Sequence, residues 1–193
     1  MDVCKYLINR TILFTAFALL ANNALAQSSL CVFTHGLHQH PLSDLRSPSK
    51  AAIKDVSDIM KALGYDRDDE IPIYSGHVAN AAAFPAERGR GPLIVYNPEF
   101  LTRLFNINDW AATSVIAHEI GHHIAKNAND PNPHGRELAA DEISGCALAR
   151  MGASLQDATA ALLKGLPNNP GSSTHPSTRS RLEAIVAAYH KCK

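Results

Sequence analysis

The run His118-Glu119-Ile120-Gly121-His122 carries the residue types and spacing that hydrolytic metal chemistry needs. On a helix, residues four apart share a face, so His118 and His122 turn two imidazoles toward one point. Two neutral imidazoles so placed make half of a tetrahedral zinc site, and Glu119 can reach a metal-bound water without being a ligand. Gly121 carries no side chain, which leaves room for the close approach of metal, substrate or strand. Within an apolar helix each of these polar groups needs a partner, and a metal ion supplies one.

A catalytic zinc takes three protein ligands and keeps one position open. The candidates downstream are His123, His134, Glu137, Asp141 and Glu142. His123 points about 100° away from His122. The metzincin pattern asks for glycine at 125 and histidine at 128, where this chain has Ala125 and Ala128. Glu137 and Asp141 are four apart on the next helix. One can bind the metal while the other orients a ligand histidine through its second ring nitrogen. The bland alternative is a solvated acidic face shared with Arg136 and Glu142, and His134 stands as another third ligand.

The elements that must position these groups follow from periodicity and punctuation. Ala111–Ala117 and Ile124–Lys126 flank the histidines as a buried helix, with Asn108 or Asp109 as its N-cap. A second helix over Arg136–Met151 stops at Gly152, and Ala128–Gly135 before it reads as a turn. Upstream, Pro48–Leu63 is an amphipathic helix ended by Gly64. Short strands are expected over Ile71–Tyr74, His77–Phe84 and Leu93–Tyr96, then a short helix from Asn97–Pro98 to Phe105. Downstream come helices over Ser154–Leu163 and Thr178–Tyr189, separated by a loop from Gly165 to Ser173. The expected class is α+β, mainly helical, with a small sheet beside the His118 helix. A sheet edge there can take an extended substrate by main-chain hydrogen bonds, or serve as scaffold alone.

Residues 1–26 read as a secretory signal peptide: Lys5 and Arg10, then the apolar stretch Thr11–Leu20, then Ala24-Leu25-Ala26. That leaves 27–193 as a single domain with no transmembrane segment, in the periplasm or secreted. The chain carries 18 Lys and Arg against 18 Asp and Glu, and the leader takes only Lys5, Arg10 and Asp2. The mature domain is near neutral, which offers no electrostatic case for nucleic acid or an anionic membrane. Its cysteines are Cys31, Cys146 and Cys192. The preferred pairing is Cys31 with Cys192, stapling the two ends, with Cys146 a buried free thiol. His35, His38 and His40 crowd an early loop, where a second metal site competes with simple exposure.

The helix pair resembles a known family. His118-Glu-Ile-Gly-His122 followed by Glu137-Leu-Ala-Ala-Asp141 is similar to the HExxH…ExxxD arrangement of the gluzincin zinc metallopeptidases related to HtpX and the CAAX prenyl endopeptidases. Val78-Ala-Asn-Ala-Ala-Ala-Phe84 ahead of Leu93-Ile-Val-Tyr96 looks like that family's Asn-Ala sheet segment. Ser173-Thr-His-Pro176 followed by Arg179 and Arg181-Leu182 looks like its closing His-Pro…Arg block. The likeness spans about Val78 to Ile185. It departs in lacking membrane helices and in the fourteen residues between His122 and Glu137. The resemblance implies a zincin-like fold and one zinc per chain on His118, His122 and Glu137. It makes Asp141 the carboxylate behind a ligand and places His175 near the metal, stabilising an oxyanion or covering the site. Arg179 and Arg181 then pair with acids near the site or face water. The expected function is a soluble envelope endopeptidase acting on polypeptides in protein quality control, with Glu119 as general base. Its rivals are a zinc-stabilised binding or chaperone module that does not cleave, and a zinc amidase acting on cell-wall peptides.

Overall fold

The computed structural model describes residues 42–87, 89–126, 129–166 and 168–193. Residues 1–26, expected to be a leader, lie outside the described residues, as do Cys31, His35, His38 and His40. In chain order the elements are α1 (Lys50–Leu63), β1 (Ile73–Ser75), β2 (Ala81–Phe84), β3 (Leu93–Tyr96), α2 (Pro98–Phe105) and α3 (Asp109–Ile124). Then follow α4 (Pro133–Met151), α5 (Leu155–Ala160) continued by a π-helical turn over Ala161–Gly165, and α6 (Thr178–Cys192). The fold is α+β and mainly helical, as expected from the sequence. Among the described residues no helix is long and apolar enough to cross a membrane.

Local chemistry explains where the helices begin. Ser49, Asn97, Asn108, Asn132, Ser154 and Ser177 each accept a first-turn backbone N–H through the side chain. Asn108 is therefore the cap of α3. α4 begins at Pro133, three residues before the expected Arg136, because Asn132 caps it and proline suits the first helical position. α1 and α4 both end on a glycine with φ +90°, Gly64 and Gly152.

β3 is the central strand, in the order β1-β3-β2, parallel to β1 and antiparallel to β2. The first two strands are shorter than the sequence suggests. Pro72 contributes only its carbonyl, accepting from Ile94, and pairing begins at Ile73. Asn80 is turned to meet Asn97, so the second strand starts at Ala81. Arg46 bridges the outer side of β1 at Ser75, which leaves β2 as the sheet's other edge.

α3 is buried on all sides from Ala111 to His122, the burial pattern of a central helix. Around it lies the main core, with Ile59, Met60, Ile94, Leu104, Ile116, Ile120, Leu148 and Tyr189. A smaller core of Val78, Ala82, Phe84, Leu93 and Val95 includes the alternate residues of β2 and β3.

α4 and α6 run in the same direction: Asp141 meets Arg181, Gly145 meets Ile185, and Cys146 meets Cys192. The expected pairing of Cys31 with Cys192 is thus corrected. Cys192 is bonded to Cys146, with Cα atoms 5.1 Å apart. The reason is packing: a Cβ on Gly145 would strike the Ile185 carbonyl, so bare glycine lets the helices close until Cys146, the next residue, meets Cys192, about two turns beyond Ile185. The bridge also carries α6 past Tyr189 to Cys192. Closing a loop of 46 residues' separation removes about 4 kcal/mol of unfolded-chain entropy. Reduction, or replacing both cysteines by serine, should lower Tm by roughly 5–15 °C. An unchanged melt under reductant would refute the bridge.

Candidate metal centre

Three side chains from two helices converge. His118 and His122 bring their Nε2 atoms to 3.1 Å, and Glu137 places one oxygen 3.6 Å from His118 Nε2 and the other 3.5 Å from His122 Nε2. Tetrahedral zinc with bonds of about 2.0–2.1 Å has ligand–ligand edges of about 3.3–3.4 Å. The observed separations lie close to those edges, and one ligand atom from each residue lies within 4.8 Å of the others. His118, His122 and Glu137 therefore form a buried group that can hold a metal ion.

Burial makes the electrostatics sharp. Arg181, the most exposed of the charged groups gathered here, is 5 % exposed, and Glu119 is 0 % exposed. Burial works against a charged His118, but the Asp141 carboxylate outweighs it, with help from Glu137, and raises His118 to about 9. His122 goes the other way, to about 3, through burial and then the positive charge on His118. Glu137 stays below the usual glutamate value: burial opposes ionisation, and the hydrogen bond and charge of His118 overcome it. Without metal, these directions describe one proton held between two imidazoles, where a cation would sit. The donors are selected for positive charge.

The support behind His118 is equally definite. His118 Nδ1 donates to Asp141 Oδ1 at 2.8 Å. Arg181 lays its fork on the same carboxylate, Nε to Oδ2 and Nη2 to Oδ1, both at 2.7 Å. Burial opposes a charged Asp141, yet the Arg181 guanidinium holds it below the ordinary aspartate value. One helix turn spans Glu137 to Asp141, which brings the first carboxylate to the imidazole Nε2 atoms and the second to Nδ1 of His118.

Two contacts fix the spacing of α3 and α4. Ser144 Oγ donates to the Ser114 carbonyl at 2.9 Å. A Cβ on Gly121 would lie 2.7 Å from Ala140 Cα and 2.9 Å from its carbonyl oxygen. The room left by Gly121 is therefore taken by the backbone of α4, rather than by metal, substrate or strand.

Glu119 is the outlier. Among the described residues no group makes a hydrogen bond of normal geometry to either of its oxygens, although the Ala83 N–H on β2 faces it and favours its charge. Burial dominates and lifts Glu119 to about 8. A fully buried carboxyl left in this state costs stability, a condition found where a group is kept for chemistry.

The remaining candidates separate. His175 is half-buried in the loop before α6, its Nδ1 2.8 Å from Thr174 Oγ1. Burial lowers its pKa, and the charges of Glu137, Arg181 and His118 all reach it, which places it beside the centre. Arg179 is not part of the group: it is exposed on α6 and pairs with Glu183 at 2.9 Å. His134 donates to the Ser172 carbonyl at 2.7 Å, tying the start of α4 to the His175 loop. His123 turns toward Leu93 on β3, and Glu142 is exposed. The reading of the sequence did not single out Ala83, Ala140 or Ser144. The groups Ala139-Ala140 and Ser144-Gly145 on α4 are the signal in the sequence for a close helix contact.

Comparison with protein-family models, curated proteins and solved structures finds no match to this chain.

Proposed function

We propose that this protein is a zinc-dependent endopeptidase of the cell envelope, of the gluzincin type that its motifs resemble. The observation that carries the reading is Glu119: a fully buried carboxyl, without a hydrogen bond of normal geometry, next to three convergent ligands. A structural metal site has no use for such a group, whereas hydrolysis needs a base there.

His118, His122 and Glu137 would hold the zinc, which would supply Lewis acidity and activate water for attack at neutral pH. Glu119 accepts the proton of the attacking water and returns it to the leaving amine. The cation's charge favours the ionised form of Glu119, countering the burial that raises its pKa in the metal-free protein. Asp141 and Arg181 keep the His118 ring oriented, and His175 serves the developing oxyanion from the loop side. The leader-like first 26 residues support an envelope or extracellular location.

A second reading has its own observation. The centre is almost wholly buried, as a closed, non-cleaving zinc module with His175 as a fourth ligand would be. Zinc content and casein cleavage, measured on the mature chain and on Glu119→Gln, decide between them. One zinc per chain with cleavage by the parent alone supports the peptidase. Zinc without cleavage favours the closed module, and His175→Ala then shows whether His175 is the latch. Absence of bound zinc overturns both.

The shared proton sets the pH dependence of metal binding. A metal must displace the proton held near His118, so apparent zinc affinity should fall about tenfold per pH unit below about 9. By pH ~6 the affinity should have fallen by about a thousandfold through this one proton. Chelator competition across this range checks the slope, and an affinity independent of pH would contradict the displaced proton.

A further inference from the structure

Nδ1 of His118 faces two neighbours with opposite demands. Asp141 Oδ1, at 2.8 Å, is an acceptor and requires a proton on Nδ1. Arg181 Nη2, at 3.2 Å, is a donor and can bond only to an Nδ1 lone pair. In a neutral imidazole the two arrangements exclude one another. The first leaves the Nε2 lone pair free to face His122 and Glu137, and the second puts the proton on Nε2 and removes His118 as a ligand. In the intact protein the carboxylate prevails. Its contact is shorter, and Arg181 directs its fork to both Asp141 oxygens at 2.7 Å.

We propose that Arg181 is a positioning residue whose effect on the metal centre reverses with Asp141. Beside Asp141 it holds the carboxylate that selects the ligating tautomer of His118; without Asp141 it selects the opposite tautomer. This rests on the reading of His118 as a metal ligand through Nε2. Arg181 has no neutral state to retreat to, because a guanidinium stays charged in proteins. Burial at 5 % exposure also restricts its escape to water. Loss of the Asp141 charge leaves the guanidinium facing Nδ1 and removes its bidentate counter-charge behind a cation site. Asparagine at 141 offers one acceptor in place of two. Arg181 takes that oxygen, and the asparagine amide N–H then faces His118 as a second donor.

The test is a double-mutant cycle on zinc affinity, measured by chelator competition on the full mature chain. Asp141→Asn should weaken zinc binding about 10–100-fold. Adding Arg181→Gln to it should recover at least about threefold, because the antagonist is gone. A double variant no tighter than Asp141→Asn overturns the proposal, since a merely structural Arg181 predicts further loss. The second readout needs no metal. Imidazole ¹⁵N shifts, followed upward in pH until His118 is neutral, report the tautomer directly. The parent and Arg181→Gln should carry the proton on Nδ1 and Asp141→Asn on Nε2. A proton still on Nδ1 in Asp141→Asn overturns the proposal. If Asp141→Asn does not fold, Asp141→Ser takes its place in both measurements. Failure of the parent to bind zinc would refute the metal reading, and the ¹⁵N shifts would still decide the role of Arg181.

Discussion

Glu119→Gln is expected to bind zinc like the parent, to lose cleavage by about 10²–10⁴-fold, and to melt at a higher temperature than the parent when metal-free. The first two follow from geometry: glutamine keeps the shape of the side chain and touches none of the ligands, but it cannot take a proton. The third follows from linkage. An unfolded Glu119 ionises near its model value of 4.5, while in the fold it keeps its proton to about 8 because it is buried. Between those values the folded state binds more protons than the unfolded state, so this group lowers stability as pH rises. The penalty is absent below the lower value, grows across the interval and is constant above the upper one. Glutamine carries no such penalty. The melting gap between variant and parent should therefore be small near pH 4 and reach at least ~2 °C by pH 8. Zinc should narrow the gap by favouring the carboxylate. Melts that run parallel at all pH values would show that Glu119 is not held neutral by burial.

Gly121→Ala should damage metal binding without touching a ligand. The added Cβ would meet Ala140 Cα at 2.7 Å and its carbonyl at 2.9 Å. Backbone cannot rotate away as a side chain can, so α3 and α4 must separate. Overpacking of this kind costs about 1–3 kcal/mol, or a fall in Tm of roughly 2–12 °C. The larger effect is on zinc, because His118 and His122 ride on α3 while Glu137 and Asp141 ride on α4. A shift of a few tenths of an ångström opens the triangle between them, and affinity should fall about 10–100-fold. Ala140→Gly should not rescue it, since the obstruction includes Cα and the carbonyl. Gly165→Ala is the natural control. Its Cβ would meet Leu104 Cδ2 at 2.5 Å, the end of a flexible side chain, so Leu104→Ala should relieve it. Gly121→Ala with unchanged zinc affinity would show that the helix contact does not set the ligand spacing.

Much of this could be read along the chain because it depends on near neighbours. The starts at Asn97, Asn108 and Ser154 followed their caps (the Asn132 cap of α4 was missed), helix ends followed Gly64 and Gly152, and β3 fell on Leu93–Tyr96, all consequences of backbone groups satisfied within a few residues. The convergence of His118 with His122, and of Glu137 with Asp141, likewise follows from one helical turn. What lay beyond reach depends on how two helices meet. The choice of Arg181 over Arg179 was open in the sequence. It follows from the parallel packing of α4 against α6, which turns Arg181 inward to Asp141 and leaves Arg179 outside with Glu183. The same packing joins Cys146 to Cys192, where position along the chain suggested the two ends instead. The partner of Gly121 was also undetermined, since a missing side chain signals closeness without saying to what. The helical repeat specifies which groups share a face; the distance and facing of two helices, and hence which charge is buried against which, come from side-chain packing across the whole core.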